Sequence, residues 1–391
     1  MRQFTFPTLM AGLVAVLVGY ASSAAIIWQA AAAAGASAQQ IAGWMTALGI
    51  AMGVSTLGLS LWYRAPVLTA WSTPGAALLA TSLHGVTMNE AIGVFIFASA
   101  LIVLCGVTGL FARLMKLIPH SLAAAMLAGI LLRFGLDAFA ALPANGLLCG
   151  VMVIAWLIAR AVAPRYAIVA TLVAGLAICL VTGQFTPSQA NIAPALPGFT
   201  LPHFTLQSLL GVGLPFFLVT MASQNAPGVA TLKASGYQVA VSPLMTVTGL
   251  IALVMAPFGV FSVCIAAITA AICQSPDAHP DRHKRWLASA AAGGFYLLAG
   301  IFGGAITALM TALPLAWIQM LAGLALLGTI GGSLQQALTD ESGRDAAIVT
   351  FLITASGMTL GGIGSAFWGL IGGGISYAVP GMVRDWRKKR V

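Results

Sequence analysis

Long apolar stretches, separated by short polar ones, follow one another along the whole chain. A bilayer core needs about 20 helical residues to cross it, so this pattern predicts an all-α protein that passes through the membrane many times. Seven stretches lie in the first half, at 8-32, 41-61, 66-83, 89-112, 119-141, 146-163 and 166-183. Seven more lie in the second half, at 208-231, 242-256, 257-275, 286-311, 313-333, 345-361 and 364-382.

Two of these stretches have helical parts that are too short to span a bilayer. Each begins with a proline, Pro66 or Pro257, continues as a β-prone run and turns into a helix of small residues. Ser72 can cap the first helix, and Pro74 in the first turn has no N–H to leave unpaired. Matching broken helices in two halves of a chain indicate a transporter's binding site. The sequence therefore predicts two half-helices, each preceded by a short extended strand.

The two halves also resemble each other in sequence. Met45-Thr46 recurs as Met245-Thr246, and the run 126-129 (MLAG) recurs as 320-323. Several such pairs in the same order indicate an internal duplication. Seven segments per copy would place the copies in opposite orientations about an axis in the membrane plane. This predicts a first inverted repeat at 1-185, an extracytoplasmic linker at 186-207, and a second repeat with a basic tail at 208-391.

Composition and charge exclude a soluble domain. The 391-residue chain is 60% hydrophobic and 6% charged, against about 25% charged residues in soluble domains. Its net charge of +9 comes from basic residues at the ends of predicted spans, as the positive-inside rule expects, and not from a nucleic-acid-binding groove. If both termini are cytoplasmic, every basic residue except Arg133 lies on the cytoplasmic side. Charge allows 12 spans as well as 14, and the repeat favours 14.

Polar side chains form clusters in the first segment of each half. Tyr20, Ser22 and Ser23 lie in the first, and Ser223, Gln224 and Asn225 lie in the eighth. Polar groups at membrane depth are costly unless a partner, water or ligand satisfies them. For the isolated serines, hydrogen bonding between helices is the favoured role. For 223-225 the sequence favours a binding site.

The first half-helix begins at Ser72, Thr73, Pro74 and Gly75. A helix N-terminus carries a partial positive charge and binds carboxylates without a cationic side chain. The predicted spans contain no lysine, so an anion here would depend largely on backbone dipoles and hydroxyl groups. Tyr20, Trp71 and Phe261 are candidates to stack on an aromatic ring, although such residues commonly pack in a protein core.

Few ionisable residues lie at membrane depth. Arg133 and Asp137 are spaced i,i+4, which favours a structural ion pair over a proton relay, and Glu90 and His84 lie near the outer end of the fourth segment. Asp137 and Glu90 are the candidates for proton coupling, although an acidic residue also suits a first helical turn. The five cysteines occur singly and predict neither a metal site nor disulfides. No nucleotide-binding or catalytic motif occurs, so we expect no cofactor, no enzyme activity and no ATP-driven pump.

Two runs, 220-237 (TMASQNAPGVATLKASGY) and 70-83 (AWSTPGAALLATSL), together with the seven-plus-seven length, resemble the benzoate transport protein family of proton-coupled benzoate symporters. The resemblance implies the inverted-repeat fold of uracil and anion transporters, with segments 1-4 and 8-11 as a core domain and segments 5-7 and 12-14 as a gate domain. It places substrate between the third and tenth segments. The substrate residues it implies are Tyr20, Ser22, Ser23, Ser72, Thr73, Pro74, Gly75, Ser223, Gln224, Asn225, Val263, Cys264, Ile265 and Ala266. The acidic residues that bind a nucleobase in related proteins are absent here, which favours an anion.

The resemblance implies a multi-pass protein of a bacterial inner membrane that imports benzoate, or a similar aromatic carboxylate, with a proton by alternating access. Moving one negative charge inward against 100 mV costs about 2.3 kcal/mol, and a co-transported proton cancels that cost. The expected partners are therefore an aromatic carboxylate, a proton and the lipid bilayer. A transporter of another small organic anion and a passive anion channel stay open as alternatives, as does a homodimer.

Overall fold

The computed structural model describes residues 5–111, 113, 119–186, 195–361 and 363–388; for 165 and 380–388 only the backbone is considered. In the first half, the elements are α1 (Phe6–Ala33), α2 (Ala38–Tyr63), β1 (Thr69–Ala70), α3 (Thr73–Ser82), α4 (Met88–Thr108), α5 (His120–Ala140), α6 (Gly146–Val162) and α7 (Ala167–Val181). In the second half, they are α8 (Leu206–Ala234), α9 (Val241–Met255), β2 (Cys264–Ile265), α10 (Ile268–Gln274), α11 (Trp286–Ile301), α12 (Gly303–Ala312), α13 (Leu315–Thr339), α14 (Arg344–Ala355), β3 (Thr359–Leu360), β4 (Ile363–Gly364) and α15 (Ser365–Lys388).

Many of these helices are long and apolar enough to cross a membrane. Within the described residues, seven meet this requirement alone: α1, α2, α4, α5, α8, α9 with its following turn, and α13. Helices α11 and α12 meet it together as a pair bent by 62°. Helices α6 and α7 and the first part of α15 are apolar but shorter. The chain is therefore a mostly helical, multi-pass membrane protein with about seven to eight clear spans, and the count of fourteen stays a prediction.

The sequence predicted one continuous segment at 286-311, whereas the structure bends between α11 and α12. Two glycines at the bend, Gly300 and Gly303, lie directly against α2. A Cβ atom on Gly303 would come within 2.6 Å of the Thr46 hydroxyl oxygen. The bend thus lies where glycines let the helices pack closely on α2, a contact that the apolar pattern of one segment does not encode.

Both broken segments consist of a short strand followed by a short helix, as the sequence predicted. The strands pair antiparallel, with Thr69 opposite Ile265 and Ala70 opposite Cys264. Helices α3 and α10 follow them directly. Because each strand satisfies backbone groups of the other, non-helical backbone is tolerated deep inside the protein. An aromatic cluster that includes Phe95, Phe216 and Phe261 packs beside the strands and fills the core.

Helix packing relates the two halves of the chain. Helix α2 packs along α11, and α9 packs along α4. Helices α5 and α13 form another extensive contact, and α14 packs on both α5 and α15. Helix α1 contacts both half-helices, α3 and α10. The strand pair therefore lies within a shell of long helices.

Helix α8 contains two π-helical turns that the sequence analysis did not predict. They cover Leu209–Gly213 and Met221–Asn225, and Pro215 and Pro227 each follow one of them by two residues. Proline cannot give an N–H to the preceding turn, and its ring crowds that turn, so the helix widens there. The second π-helical turn includes the polar cluster at 223-225. Such turns are frequent at functional sites.

Candidate binding site between the two half-helices

Hydrogen bonds from three directions hold the strand pair. The Ala266 N–H donates to the Leu68 carbonyl oxygen at 2.9 Å, and the Ser72 N–H donates to Ser262 Oγ at 2.9 Å. From α8, the Oδ1 atom of Asn225 accepts the N–H of Ile265 at 3.0 Å. All these residues are buried. The side chain of Asn225 therefore holds β2 in place.

At the start of α3, hydroxyl groups from two helices meet. Ser72 Oγ accepts the Gly75 N–H at 3.0 Å, which confirms the predicted N-cap. The Thr73 hydroxyl lies 2.7 Å from that of Ser23, which in turn lies 3.3 Å from that of Ser22. The structure thus places the serines of the first predicted cluster at the beginning of the first half-helix.

Tyr20 lies beside this hydroxyl chain. Its ring packs edge-on against Trp71, with the ring centroids 4.8 Å apart, and the centroid of the Tyr296 ring lies 6.3 Å away. The Tyr20 hydroxyl is buried and has no hydrogen-bond partner among the described residues. A buried hydroxyl normally has a partner, so this one calls for a water molecule or a ligand. Trp71 and Phe261, the other aromatic candidates, are 3% and 1% exposed and pack in the core.

The polar cluster of α8 is divided between two environments. Ser223 and Gln224 are half-buried, and the Ser223 hydroxyl donates to the Val219 carbonyl oxygen. Asn225 is completely buried behind β2. Across from them, α10 begins at Ile268, which is 77% exposed, with no side chain capping the helix. Strand β2 and the residues on either side of it are each 2% exposed or less: Val263, Cys264, Ile265 and Ala266.

A cavity of about 490 Å³, here called the Arg160 cavity, reaches this part of the molecule from one end. Ser223 and Ile268 line it on the side of α8 and α10. Three side chains from α5 and α6, His120, Trp156 and Arg160, also line it. Ser223 is thus the predicted site residue that the structure places on this cavity.

A second cavity, of about 410 Å³ and here called the Glu90 cavity, opens at the other end of α5 and α8. Its lining includes Glu90, Arg133, Thr205 and Val212. It shares no lining residue with the Arg160 cavity. Protein therefore separates the two cavities.

Glu90 and Asp137, the candidates for proton coupling, are both partly exposed at that end. Glu90 forms the capping box of α4, because its carboxylate accepts from the N–H and hydroxyl groups of Thr87, and it also accepts from Thr205. Arg133 Nε lies 3.8 Å from Asp137 Oδ2, and both residues line a neighbouring cavity of about 220 Å³. Across the described part of the chain, no His, Cys, Asp and Glu groups are arranged to hold a metal ion.

Sequence reasoning missed two residues that fix the site geometry. Ser262 accepts the Ser72 N–H, a contact between distant segments that no local motif signals. Gly228 lies so close to β2 that a Cβ atom would overlap the Ile265 carbonyl oxygen. The run Ala226-Pro227-Gly228 after the polar cluster was the signal for Gly228, because glycine permits close backbone approach.

Paired half-helices, joined by their strands and enclosed by spanning helices, define a membrane protein of the transporter type. Comparison with solved structures agrees. The transmembrane domain of a cyanobacterium bicarbonate transporter, BicA, matches with a TM-score of 0.66 at 14% identity, over 95% of this chain and 97% of that one. The murine Slc26a9 anion transporter in the inward-facing state matches with a TM-score of 0.63 at 12% identity, over 98% of this chain and 69% of that one. At these identities the matches show the fold.

Sequence comparison then gives the family. Residues 2–379 match the family model described as benzoate membrane transport protein. The chain is 38% identical to the benzoate membrane transport protein of Acinetobacter baylyi over 97% of this chain and 96% of that protein. It is 67% identical to the inner membrane protein YdcO of Escherichia coli strain K12, over 98% and 99% of the two chains. The chain belongs to the benzoate membrane transport protein family, as its two sequence runs indicated, and is a transport protein and not an enzyme.

Proposed function

We propose that this protein is a secondary active transporter that imports benzoate, or a similar aromatic carboxylate, together with a proton by alternating access. The observation that carries the proposal is the pair of cavities, which reach the half-helix region from opposite ends and share no lining residue. A carrier opens its site to one side at a time, whereas a channel needs one continuous path. The chemistry of the substrate is taken from the family, one of whose members is named for benzoate.

The proposed architecture has fourteen segments in two inverted repeats, 1-185 and 208-391, joined by an extracytoplasmic linker at 186-207. This proposal is supported by matching contacts between the two halves. Helix α2 of the first half packs on α11 of the second, and the corresponding helix α9 of the second half packs on α4 of the first. We assign α1 to α4 and α8 to α12 to the core domain. Helices α5 to α7 and α13 to α15 form the gate domain. Both large cavities lie between these two groups.

The proposed substrate site lies beside the start of α3. The unpartnered Tyr20 hydroxyl and the linked hydroxyls of Ser22, Ser23 and Thr73 would hydrogen-bond the carboxylate. The α3 N-terminus formed by Ser72, Thr73, Pro74 and Gly75 adds a partial positive charge. Ser223 and Gln224 contribute from α8, on the opposite side. Asn225 and the strand residues Val263, Cys264, Ile265 and Ala266 hold the site in shape.

Coupling to a proton is proposed to use Asp137, with Glu90 as the second candidate. Asp137 is partly exposed and close to Arg133, so a change in its protonation would change the charge balance between α5 and the core helices. Glu90 already supports the start of α4 through Thr87 and Thr205. Glu90 therefore has a structural role in capping α4, in addition to the proposed role in proton coupling.

We assign the protein to a bacterial inner membrane, following its Escherichia coli relative, with both termini in the cytoplasm. The Arg160 cavity would then face the cytoplasm and the Glu90 cavity the outside. The support is that basic residues such as Arg64 and Arg160 lie at the ends of helices α2 and α6, which this orientation places inside.

Cysteine labelling tests the alternating-access mechanism. The five native cysteines are buried, which keeps the background low. Thr329→Cys places a thiol in the Arg160 cavity and Val86→Cys places one in the Glu90 cavity. Benzoate with a proton gradient should lower the labelling of one thiol by a membrane-impermeant reagent while it raises that of the other. Simultaneous labelling of both thiols from both sides, with steady ionic conductance, would instead support a channel.

A further inference from the structure

The Arg160 cavity has a charge pattern that suits an anion. Of the described residues that line it, Arg160 alone carries a permanent charge, and His120 is the other residue that can become positive. No Asp or Glu belongs to this described lining. The Glu90 cavity differs, because Glu90 and Arg133 both line it. A cavity with one cation and no acidic side chain attracts carboxylates.

The positive charge lies away from the half-helices. Ser223 and Ile268, on α8 and α10, form an uncharged wall. Arg160, His120 and Gln336, on α6, α5 and α13, line the same cavity from a different group of helices. No described residue of α3 lines this cavity, and the cation lies on the other group of helices.

The exposed Arg160 side chain contacts the Trp156 ring and has no carboxylate partner among the described residues. Its guanidinium carbon lies 5.0 Å from the centre of the Trp156 ring. Stacking covers one face of a guanidinium and leaves the N–H groups at its edge free to bind a carboxylate. Apolar side chains nearby, Leu127 and Leu324, can contact an apolar body. The volume of about 490 Å³ lies within the range of about 300–1,000 Å³ typical of small-molecule sites.

We propose that Arg160, assisted by His120 and Gln336, forms a second binding site for organic carboxylates in the Arg160 cavity. A substrate would bind there on its way between the aqueous phase and the half-helices. The choice of benzoate as probe rests on the proposed function. The simpler role for Arg160 and Trp156 is to anchor α6 at the membrane surface, and the experiment separates the two.

The first test is equilibrium binding of radiolabelled benzoate to the purified full-length protein in detergent. Two binding phases are expected, one for the half-helix site and one for the second site. Arg160→Gln removes a charge-assisted hydrogen bond from the second site alone, so we expect the Kd of that phase to rise about tenfold while the other phase is unchanged. Arg160→Lys keeps the charge and should lie nearer to the wild type. The matched control is Arg64→Gln, because Arg64 also stacks on a tryptophan, Trp286, at a helix end but lines neither large cavity. This control should bind within about twofold of the wild type.

A second pair of variants keeps the test independent of how Arg160→Gln folds. Gln335 and Gln336 are adjacent and both exposed, but Gln336 alone of the two lines the cavity. Gln336→Glu should weaken benzoate binding severalfold by placing a like charge beside the carboxylate, whereas Gln335→Glu should not. Equal affinities within either matched pair would overturn the second site and leave the proposed function standing. A wild type that binds no benzoate would overturn both.

Discussion

Asn225 offers the sharpest structural prediction, because its single side-chain oxygen connects α8 to the strand pair. Asn225→Ala leaves the buried N–H of Ile265 without its acceptor, which lies at 3.0 Å in the wild type. A buried donor without a partner costs about 1–3 kcal/mol. If the substitution destabilises the paired state of β2 by this amount, the equilibrium constant for local opening of the strand rises about 5–150-fold.

Hydrogen exchange with mass spectrometry measures this opening. The informative amide is that of Ala266, because its acceptor, the Leu68 carbonyl oxygen, is unchanged by the substitution. We expect Ala266 to exchange faster in Asn225→Ala by the factor above. Gln224→Ala is the control, since Gln224 is the half-buried neighbour and, within the described part of the chain, makes no side-chain hydrogen bond to the strand pair. Unchanged protection of Ala266, or equal loss of protection in both variants, would refute the reasoning.

Three further predictions concern the same region and its coupling. Ser72→Ala should lower the free energy of unfolding by about 1 kcal/mol, because the N-cap of α3 is lost, and should weaken benzoate binding. Ser72→Thr keeps the cap and should change neither. Thermal unfolding and benzoate binding, measured on both variants, would show whether the two effects coincide. Gly228→Ala should abolish transport and shift the folded peak in size-exclusion chromatography because its methyl group meets the β2 backbone, whereas Gly58→Ala, with open space around it, should be silent. Asp137→Asn should abolish proton-driven accumulation of benzoate but keep benzoate exchange. Glu90→Gln preserves the capping box and should keep both activities. The reverse result would make Glu90, and not Asp137, the proton-coupling residue.

Local features of the fold could be predicted from the sequence because local chemistry determines them. Ser72 and Pro74 mark the start of α3, and the structure places the cap there. The β-prone run before each half-helix became a strand. Seven described helices are apolar over the full thickness of a bilayer, as the hydrophobic stretches indicated. For these features, a short window of sequence carries the whole physical cause.

Features that depend on distant contacts could not be predicted in the same way. The sequence indicated that Asn225 is a costly polar residue at membrane depth, but its partner is a backbone N–H 40 positions away. Ser262 meets the Ser72 N–H from a distance of 190 positions, and its neighbours in sequence are ordinary apolar residues. The bend before Gly303 depends on its contact with α2. Arg160 lies in the last turn of α6, but the cavity around it requires α5, α6, α7, α8, α10 and α13 to meet.

The measurement that tests the central claim most directly is uptake of labelled benzoate into proteoliposomes, with and without an inward proton gradient. Empty liposomes under the same gradient are the control, because protonated benzoic acid crosses lipid unaided. Protein-dependent accumulation above the external concentration, abolished by a protonophore, is the result that proton-coupled import predicts. Flux equal to that of empty liposomes, or protein-dependent flux that only equalises the two sides under the gradient, would contradict it.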